Sequence, residues 1–367
     1  MRYFMSDLHV FTTQSAKTIF GLCGHDPDDR CLSGHWRFFY DSDPSLTLPI
    51  TRDEAAAPYS HAHFEMLARK FSAWFTMHNK QADFTYCSFT SKLAHIFRYV
   101  DAPIQCQLSF RFDDNHPLPA AEAESLRDLL ISMQQSGKMT LTANNRYDEM
   151  YFYYYTGLRP TYIPPTGSYV TSIYEPASDL ILIGPGRHYS YGESLMASIA
   201  VALRKRLGTH VCTIQEAFPN GFSWRQLASC KAIVIIPYAV SSGAFFEYLA
   251  MGIPLFFPSV RLLTEWHCEN FLLVERKPSL RPARSSEFPA AVSTLPDPKN
   301  DFDKDAVSFW LKYCDWYYWD GARIFDSLEE LHEMLATMDA PGLSERLLRQ
   351  SRRDLELAAR SWPRFLA

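Results

Sequence analysis

Residues 233–259 read IVIIPYAVSSGAFFEYLAMGIPLFFPS, and this stretch decides the fold. Its opening run of β-branched residues is typical of a strand that is buried on both faces of a sheet. Ser241, Ser242 and Gly243 can cap a helix that leaves backbone N–H groups unpaired at its start. Gly252 can end that helix in the left-handed conformation, before the next apolar strand. The stretch therefore predicts one β-α-β unit with a right-handed crossover.

The start of the predicted helix carries the first candidate ligand site. It points to the carboxyl edge of the sheet, where open α/β sheets bind ligands. A helix N-terminus favours phosphate groups, because its N–H groups and its dipole both attract anions. Glu247, one turn into the helix, can accept hydrogen bonds from the hydroxyl groups of a sugar.

The pattern Ser-Gly-x-x-x-Glu-x-x-x-x-Gly-x-Pro at 242–254 resembles the donor-site motif of nucleotide-sugar glycosyltransferases with two Rossmann domains, the GT-B class. In that class the strand–loop–helix holds the diphosphate, and the helix glutamate binds the ribose or the sugar of the donor. The resemblance covers this motif alone and implies a donor site made of Tyr238, Ser241, Ser242, Gly243 and Glu247. The alternative is an unrelated doubly wound fold with an ordinary capped helix, since likeness of fold does not establish function.

A second candidate for the donor site follows the first predicted strand of the second half. The turn Gly184-Pro-Gly186-Arg187 lacks the third glycine of a dinucleotide fingerprint. Its glycines let the backbone approach a phosphate closely, and its arginine can clamp a diphosphate with two hydrogen bonds. In the GT-B class this loop often supplies a basic residue to the donor phosphates, so the resemblance adds Gly184, Gly186 and Arg187 to the site. An ordinary β-α turn with a surface arginine is the alternative.

Composition excludes several classes of protein. At 367 residues the chain is too long for one core of ordinary size, which predicts two domains. No window approaches the length of a membrane-spanning segment, and the first residues lack the apolar core of a signal peptide. The net charge of −5 argues against a general nucleic-acid binder. Eight cysteines without a Cys-x-x-Cys pair, and no Asn-x-Ser/Thr site, favour a reducing, cytoplasmic compartment.

Strand-like and helix-like runs alternate along the chain, which predicts an α/β protein with two doubly wound Rossmann-like domains facing across a cleft. We expect an acceptor-binding domain at 1–165 and a nucleotide-sugar-binding domain at 175–340. The linker is predicted at 161–178, where proline and glycine interrupt the pattern. The resemblance implies that a final helix within 341–367 crosses back to the N-terminal domain. Its arginines alternate with acidic residues, as on a solvated face, and a weak contact with anionic lipid or an acidic acceptor is the alternative.

A divalent cation is not expected. A second class of glycosyltransferase holds its cation with Asp-x-Asp, and such spacings here include Asp26-Pro-Asp28, Asp41-Ser-Asp43 and Asp301-Phe-Asp303. All are predicted in polar loops, so a metal-independent mechanism is favoured, with the helix dipole and an arginine supplying positive charge. His61 and His63 are rejected as a metal pair, because residues two apart project in different directions. The nucleoside diphosphate sugar is a co-substrate, and no cofactor is predicted.

For the chemistry of transfer, the sequence favours inversion over retention, and retention is the alternative. Retaining enzymes of the GT-B class commonly carry a second glutamate eight positions before the helix glutamate, and that position is Ala239. Inversion needs a general base near the acceptor hydroxyl, which the N-terminal half must supply. The candidates are Asp7 and His9, after the first predicted strand, and His35, which we rank first because an imidazole titrates near neutral pH. A structural role is the alternative for each histidine.

Polar residues at the ends of two further predicted strands form a candidate acceptor site. Arg111 follows one strand, Asn144 and Asn145 end the next, and Asp148 falls in the first turn of the helix beyond it. Amide and carboxylate groups at a strand end can hold a hydroxyl-rich ligand. The alternative is that the amides cap the helix and that its tyrosines pack in the core.

These observations favour a glycosyltransferase that moves a sugar from a nucleoside diphosphate sugar to a hydroxyl of a glycan or lipid-linked acceptor, in polysaccharide biosynthesis. Residues 143–157 and the Phe325-Asp-Ser327 segment are also similar to poorly characterised glycosyltransferases of bacteria and large viruses.

Two alternatives to this function remain. A nucleotide-sugar epimerase of the same architecture would act on the nucleotide sugar without an acceptor. A non-catalytic nucleotide-binding or scaffold protein would not turn it over.

Overall fold

The computed structural model describes residues 1–78, 80–113, 118–184, 190–207, 211–273 and 289–366. These residues form two compact units, each built around one parallel sheet. Within the described stretches, unit 1 consists of 1–165, 289–295 and 355–366, and unit 2 consists of 166–273 and 296–354. The prediction of an α/β chain with two doubly wound halves is confirmed. None of the helices in these stretches is long and apolar enough to span a membrane.

Unit 1 contains a six-stranded sheet. Its strands are β1 (Arg2–Met5), β2 (Asp26–Asp29), β3 (Phe84–Cys87), β4 (Ile104–Leu108), β5 (Met139–Ala143) and β6 (Thr161–Tyr162). They pair in the order β2-β1-β3-β4-β5-β6, and every pair is parallel. The central strands β3 and β4 are buried along their whole length, as expected for a parallel sheet that helices cover on both faces.

Helices in unit 1 follow the strands in sequence. They are α1 (Val10–Leu22), α2 (Arg52–Ala56), α3 (His61–Met77), α4 (Leu93–Phe97), α5 (Ala120–Gln135) and α6 (Arg146–Thr156), with a turn of 3₁₀ helix at Trp36–Phe38. The predicted apolar stripe of α3 is its buried face, formed by Phe64, Leu67, Ala68, Phe71, Trp74 and Phe75. Helix α6 ends at Gly157 in the left-handed conformation, with a φ of 70°, as its sequence predicts.

Unit 2 contains a five-stranded sheet. Its strands are β7 (Ile181–Gly184), β8 (Val211–Thr213), β9 (Ala232–Ile235), β10 (Leu255–Pro258) and β11 (Arg323–Phe325). Its helices are α7 (Ser190–Leu207), α8 (Ile214–Ala217), α9 (Trp224–Ala228), α10 (Gly243–Met251), α11 (Val260–Asn270), α12 (Lys304–Leu311) and α13 (Leu328–Ala336), with a turn of 3₁₀ helix at Asp315–Tyr318. The strands pair in the order β11-β10-β9-β7-β8, all parallel.

The two sheets share one winding pattern. In each, the second strand pairs on one side of the first, and the third strand pairs on the other side. The winding therefore reverses between β1 and β3 in unit 1, and between β7 and β9 in unit 2. Doubly wound sheets bind ligands at the carboxyl ends of such strand pairs. We call these two places the switch points of unit 1 and unit 2.

The last long helix supplies residues to both units. Helix α14 spans Ala340–Ser361 and is followed by α15 (Pro363–Leu366). Residues up to 354 belong to unit 2, and residues from 355 onward belong to unit 1. In unit 1, Ala358 and Trp362 are buried in the same apolar cluster as Phe20 and Tyr86. The Trp362 ring lies edge-on to Phe20, with ring centroids 5.0 Å apart.

Strand β2 differs from the prediction for its sequence. Asp26-Pro-Asp28 was expected in a polar loop, and that expectation is wrong, because Asp26–Asp29 pairs with β1. An edge strand needs only one hydrogen-bonded neighbour and tolerates charge, so it carries no apolar alternation to reveal it. Asp28 is compensated by Lys80, whose Nζ lies 2.5 Å from its Oδ2. The aspartates of β2 are thus part of an edge strand.

Gly252 ends α10 as predicted, and its replacement tests this packing. Its φ is 74°, and an added Cβ would lie 2.7 Å from Leu348 Cγ and 2.9 Å from Ser344 Oγ. Gly252→Ala should lower the free energy of unfolding by about 1–2 kcal/mol for the left-handed backbone and by a further ~1–3 kcal/mol for overpacking. Urea unfolding measures the loss.

Gly137→Ala is the matched control for this measurement. Gly137 has a φ of 73° with nothing within 4 Å of an added Cβ, so only the backbone contribution is expected there. Equal losses for the two variants would contradict the packing of α10 against α14.

Candidate functional site

At the switch point of unit 2, the ends of β7 and β9 bring two parts of the predicted donor site together. Gly184, the last residue of β7, pairs with Ile235, and its carbonyl accepts a hydrogen bond from the Ile236 N–H at 2.9 Å. The loop after β9 and the start of α10 therefore begin beside Gly184. Gly186 and Arg187, which the sequence also assigns to this site, lie outside the described residues.

The turn after β9 enters α10 without a serine side chain as its cap. Ser242 is the N-cap residue and has extended backbone dihedrals, but its hydroxyl makes no capping hydrogen bond. That hydroxyl lies 3.0 Å from the Tyr238 hydroxyl, and the Ser241 hydroxyl donates to Asp315 at 3.0 Å. The sequence thus predicts the position of the N-cap correctly, but the serine side chain does not make the capping hydrogen bond. The first N–H groups of α10 are therefore not capped by the Ser242 hydroxyl.

Asp315 is a member of this group that sequence reasoning missed. It starts the 3₁₀ turn Asp315–Tyr318 and is buried, with 3% of its surface exposed. The only feature of the sequence that marks Asp315 is its position as an acidic residue inside a strongly aromatic run. A carboxylate beside Ser241 suits ligand hydroxyl groups rather than phosphate, because it accepts hydrogen bonds and repels anions.

Glu247 is held in place by two donor side chains. Its Oε1 accepts a hydrogen bond from the Tyr169 hydroxyl at 2.5 Å, and the Trp224 side chain donates another to the carboxylate. Burial raises the pKa of Glu247, and these hydrogen bonds partly oppose the rise. Gly167 permits the close packing, since a Cβ there would lie 2.3 Å from the Phe246 carbonyl oxygen. A carboxylate accepts up to about four hydrogen bonds, so capacity remains for a ligand hydroxyl.

At the switch point of unit 1, Asp7 joins the turn after β1 to the end of β3. Asp7 is fully buried, and its Oδ2 accepts hydrogen bonds from the Thr12 hydroxyl at 3.0 Å and the Phe89 N–H at 3.2 Å. Its Oδ1 accepts from the Leu8 N–H at 2.7 Å. Burial raises the pKa of Asp7 to about 6, although these hydrogen bonds oppose the rise. Asp7 is therefore placed to shape the turn rather than to meet a substrate.

His9 lies at the same point and caps α1 with its ring. Its Nδ1 accepts a hydrogen bond from the Phe11 N–H at 3.2 Å, which assigns the proton of the neutral ring to Nε2. The ring stacks on Phe89, with centroids 5.0 Å apart. In this state the lone pair of Nδ1 is engaged by the helix.

His35 lies in the exposed loop that follows β2. Its N–H donates to the Ser33 hydroxyl at 3.2 Å, and its ring packs beside Phe38, with centroids 6.0 Å apart. Earlier in the same loop, the Leu32 N–H donates to the Asp7 carbonyl at 2.8 Å. The structure thus brings the other two candidate bases to one switch point and places His35 further along a loop that starts beside them.

The predicted acceptor residues form one hydrogen-bonded chain along the ends of β4 and β5. The Asn144 amide donates to Ser109 Oγ at 2.6 Å. The Asn145 amide donates to Asn144 Oδ1 at 3.0 Å and to Asp148 Oδ2 at 2.6 Å. Arg111 closes the chain with an ion pair, its Nε lying 3.2 Å from Asp148 Oδ1. Topology therefore gathers all four residues that the sequence selected.

Much of this hydrogen-bonded chain has a structural role. Asn145 caps α6 by accepting the Asp148 N–H at 2.7 Å, as the structural alternative predicts. Burial raises the pKa of Asp148, and the Arg111 guanidinium opposes that rise. The same guanidinium lies over the rings of Phe110 and Tyr147, at 4.4 Å and 5.2 Å from their centroids. The chain is thus a rigid polar border of the sheet.

The Asp-x-Asp pairs are engaged by other side chains. A partner lies beside one aspartate of each pair: Lys80 beside Asp28, Arg52 beside Asp43 and His267 beside Asp301. The lysine and the arginine oppose the binding of a cation. Asp301 and His267 are fully buried, whereas Asp303 is exposed and caps α12.

Comparison with known proteins gives a distant likeness of fold. No protein-family model and no curated protein matches the chain. The structure of CalG4, the calicheamicin glycosyltransferase, matches with a TM-score of 0.44 at 11% identity, over 100% of this chain and 98% of that chain. The glycosyltransferase SnogD from Streptomyces nogalater matches with a TM-score of 0.43 at 14% identity, over 99% of both chains. At these values no activity follows from the likeness.

Asp7→Asn should remove a pH dependence of stability. Folding raises the pKa of Asp7 from 3.8 to about 6, so the folded state favours the protonated carboxyl group over the carboxylate. This contribution to stability is full below pH 3.8 and is lost as the pH rises through about 6. Between about pH 4 and about pH 7.5, the unfolding free energy of the wild type should fall by ~2–3 kcal/mol relative to the variant. Urea unfolding of both proteins at each pH measures this. A difference that does not change with pH would contradict the buried carboxyl.

Proposed function

We propose that the chain is a glycosyltransferase that uses a nucleoside diphosphate sugar. The observation that carries the proposal is the start of α10 at the switch point of unit 2, where the Ser242 hydroxyl does not cap the helix. Such a helix start offers N–H donors and a positive dipole end to a diphosphate. It lies beside Gly184, at the point where doubly wound sheets bind nucleotides.

The surrounding side chains support a donor that carries both phosphate and hydroxyl groups. Tyr238, Ser241 and Ser242 present hydroxyls at the helix start. Asp315 and Glu247 present carboxylates, which suit the hydroxyls of a ribose and a sugar. We assign phosphate binding to Gly184, Gly186, Arg187 and the N–H groups of Gly243 and its neighbours. This assignment needs no metal ion for the transfer step, since the helix dipole and Arg187 supply positive charge.

Unit 1 is proposed to bind the acceptor, a hydroxyl group of a glycan or lipid-linked glycan. The hydrogen-bonded chain from Asn144 to Arg111 gives its sheet a polar border that matches a hydroxyl-rich ligand. His9 would donate a hydrogen bond from Nε2, and Asp7 would position the turn. His35 would remove the proton of the attacking hydroxyl, because the His9 lone pair is engaged. Inversion is the expected outcome, with Ala239 in place of the glutamate of retaining enzymes.

A reducing, cytoplasmic setting in polysaccharide biosynthesis is part of the proposal. All eight cysteines lie in the described residues as free thiols, which suits a reducing compartment.

Glu247→Gln should weaken donor binding while keeping the fold. The amide oxygen can still accept the Tyr169 hydroxyl, whereas the charge-assisted bond to the donor is lost. We expect affinity for the cognate nucleotide sugar to fall about tenfold, equivalent to ~1.5 kcal/mol. A thermal-shift screen over a nucleotide-sugar panel identifies the ligand, and titration calorimetry measures the affinity.

Glu265→Gln on α11 is the matched control for donor binding, because Glu265 pairs with the exposed Arg261 and is no part of the proposed donor site. Unchanged affinity in Glu247→Gln would contradict the donor site. Turnover of the nucleotide sugar without any acceptor would favour an epimerase, and binding without turnover would favour a scaffold protein.

His35→Ala should lower kcat by roughly 10²–10⁴-fold, while the affinity for the nucleotide sugar stays near that of the wild type. His9→Ala should raise the KM for the acceptor more than it lowers kcat, because a donated hydrogen bond is lost. His332→Ala, on α13, controls for the loss of an imidazole elsewhere. Initial rates at varied acceptor concentration measure both effects. A kcat within a few-fold of the wild type in His35→Ala would remove His35 from the mechanism.

A further inference from the structure

Three side chains of unit 1, on helices α3 and α4, have the chemistry and spacing of metal ligands. His61 and Glu65 lie one turn apart on α3, and His95 lies on α4, which packs beside it. One donor atom from each lies within 4.8 Å of the other two. Residues four apart share a helix face, which the spacing of His61 and His63 does not allow.

The buried part of this cluster already has the spacing of a coordination shell. His95 Nε2 and Glu65 Oε2 are 3.3 Å apart. Ligand bonds of about 2.0–2.2 Å in a tetrahedral zinc site place neighbouring ligand atoms on the order of 3.3–3.5 Å apart. His95 is fully buried, whereas His61 is exposed, so the third side of the site opens to water.

Hydroxyl groups hold the opposite nitrogens of the two rings. The buried Tyr59 hydroxyl lies 3.1 Å from His95 Nδ1 and 3.4 Å from His61 Nδ1. Ser125 Oγ lies 2.9 Å from the same His61 Nδ1. Metal-binding histidines use their second nitrogen in this way, because that hydrogen bond fixes the tautomer and the ring orientation. In His95 the other nitrogen, Nε2, therefore faces the Glu65 carboxylate.

The carboxylate of Glu65 is oriented in the same manner. Its Oε1 accepts a hydrogen bond from the Tyr99 hydroxyl and pairs with Arg69, each at 2.6 Å. Its Oε2 is directed at His95 and at Arg98, whose Nη1 lies 3.0 Å from Oε2 and 3.4 Å from His95 Nε2. Arg98 thus supplies the positive charge between the two ligands. Its side chain is 28% exposed, so it can turn out to solvent.

We propose that His61, Glu65 and His95 bind a divalent transition-metal ion of the zinc class, which takes the place of the Arg98 guanidinium. Two imidazoles and one carboxylate favour zinc and its transition-metal neighbours over magnesium or calcium, which prefer oxygen ligands. The ion would clamp the start of α3 to α4. It is separate from the strand-end residues of the proposed transfer reaction, and it does not depend on that proposal.

Zinc titration of the full chain tests the site, after dialysis against a chelator and then against metal-free buffer. Calorimetry should show one tight site per chain, and cobalt should give the visible absorption of a tetrahedral nitrogen–oxygen site. His61→Ala and Glu65→Gln should weaken that site by at least ~100-fold, since even outer partners of metal ligands contribute roughly 10–100-fold. Both replaced side chains reach solvent, and urea unfolding confirms that the variants fold.

Two further variants sharpen this test. His63→Ala is the matched control, because His63 is two positions from His61 on the same helix and faces the Glu54 carbonyl, 3.2 Å from its Nε2. Its zinc affinity should equal that of the wild type. Arg98→Gln should tighten zinc binding, because the competing cation is gone. The proposal is overturned if the wild type has no tight site, if His61→Ala binds as tightly as the wild type, or if His63→Ala weakens binding equally.

Discussion

Both candidate sites depend on the hydrogen-bonded contact between the first and third strands of a sheet. In unit 1 these strands are β1 and β3, and in unit 2 they are β7 and β9. Right-handed crossovers carry the chain away from the first strand on one face and back to the third strand on the other. The ends of these two strands are therefore left uncovered by the connecting helices. Asp7 and Ser242 lie at these uncovered strand ends, because Asp7 follows β1 and Ser242 follows β9.

How much of the fold the sequence could predict depends on burial. Strands such as β9 and β10 are buried on both faces, so their apolar runs are visible without any partner. Gly157 and Gly252 mark helix ends because their backbone conformation excludes most other residues. The acidic edge strand β2 was missed, since its pairing with β1 is a backbone interaction that side-chain periodicity does not record.

Which residues of the candidate sites the sequence could predict depends on whether their contacts are local. Ser242 and Glu247 could be found because they lie in one short motif with fixed spacing. Asp315 and Tyr169 reach that motif from distant parts of the chain, and nothing local in the sequence marks them. In unit 1, His61 and Glu65 lie one helical turn apart, but His95 joins them from another helix. Long-range contacts of this kind are decided by packing.

The burial of Trp362 has a consequence for how the protein is made. The strands of unit 1 lie within residues 2–162, yet its apolar cluster includes Ala358 and Trp362, which are synthesised much later. All described residues of unit 2 are synthesised before Trp362. The N-terminal unit must therefore wait with part of its core exposed while the later unit can already fold, which reverses the usual N-to-C order of domain folding during translation. That interval ends only when Ala358 and Trp362 have been synthesised.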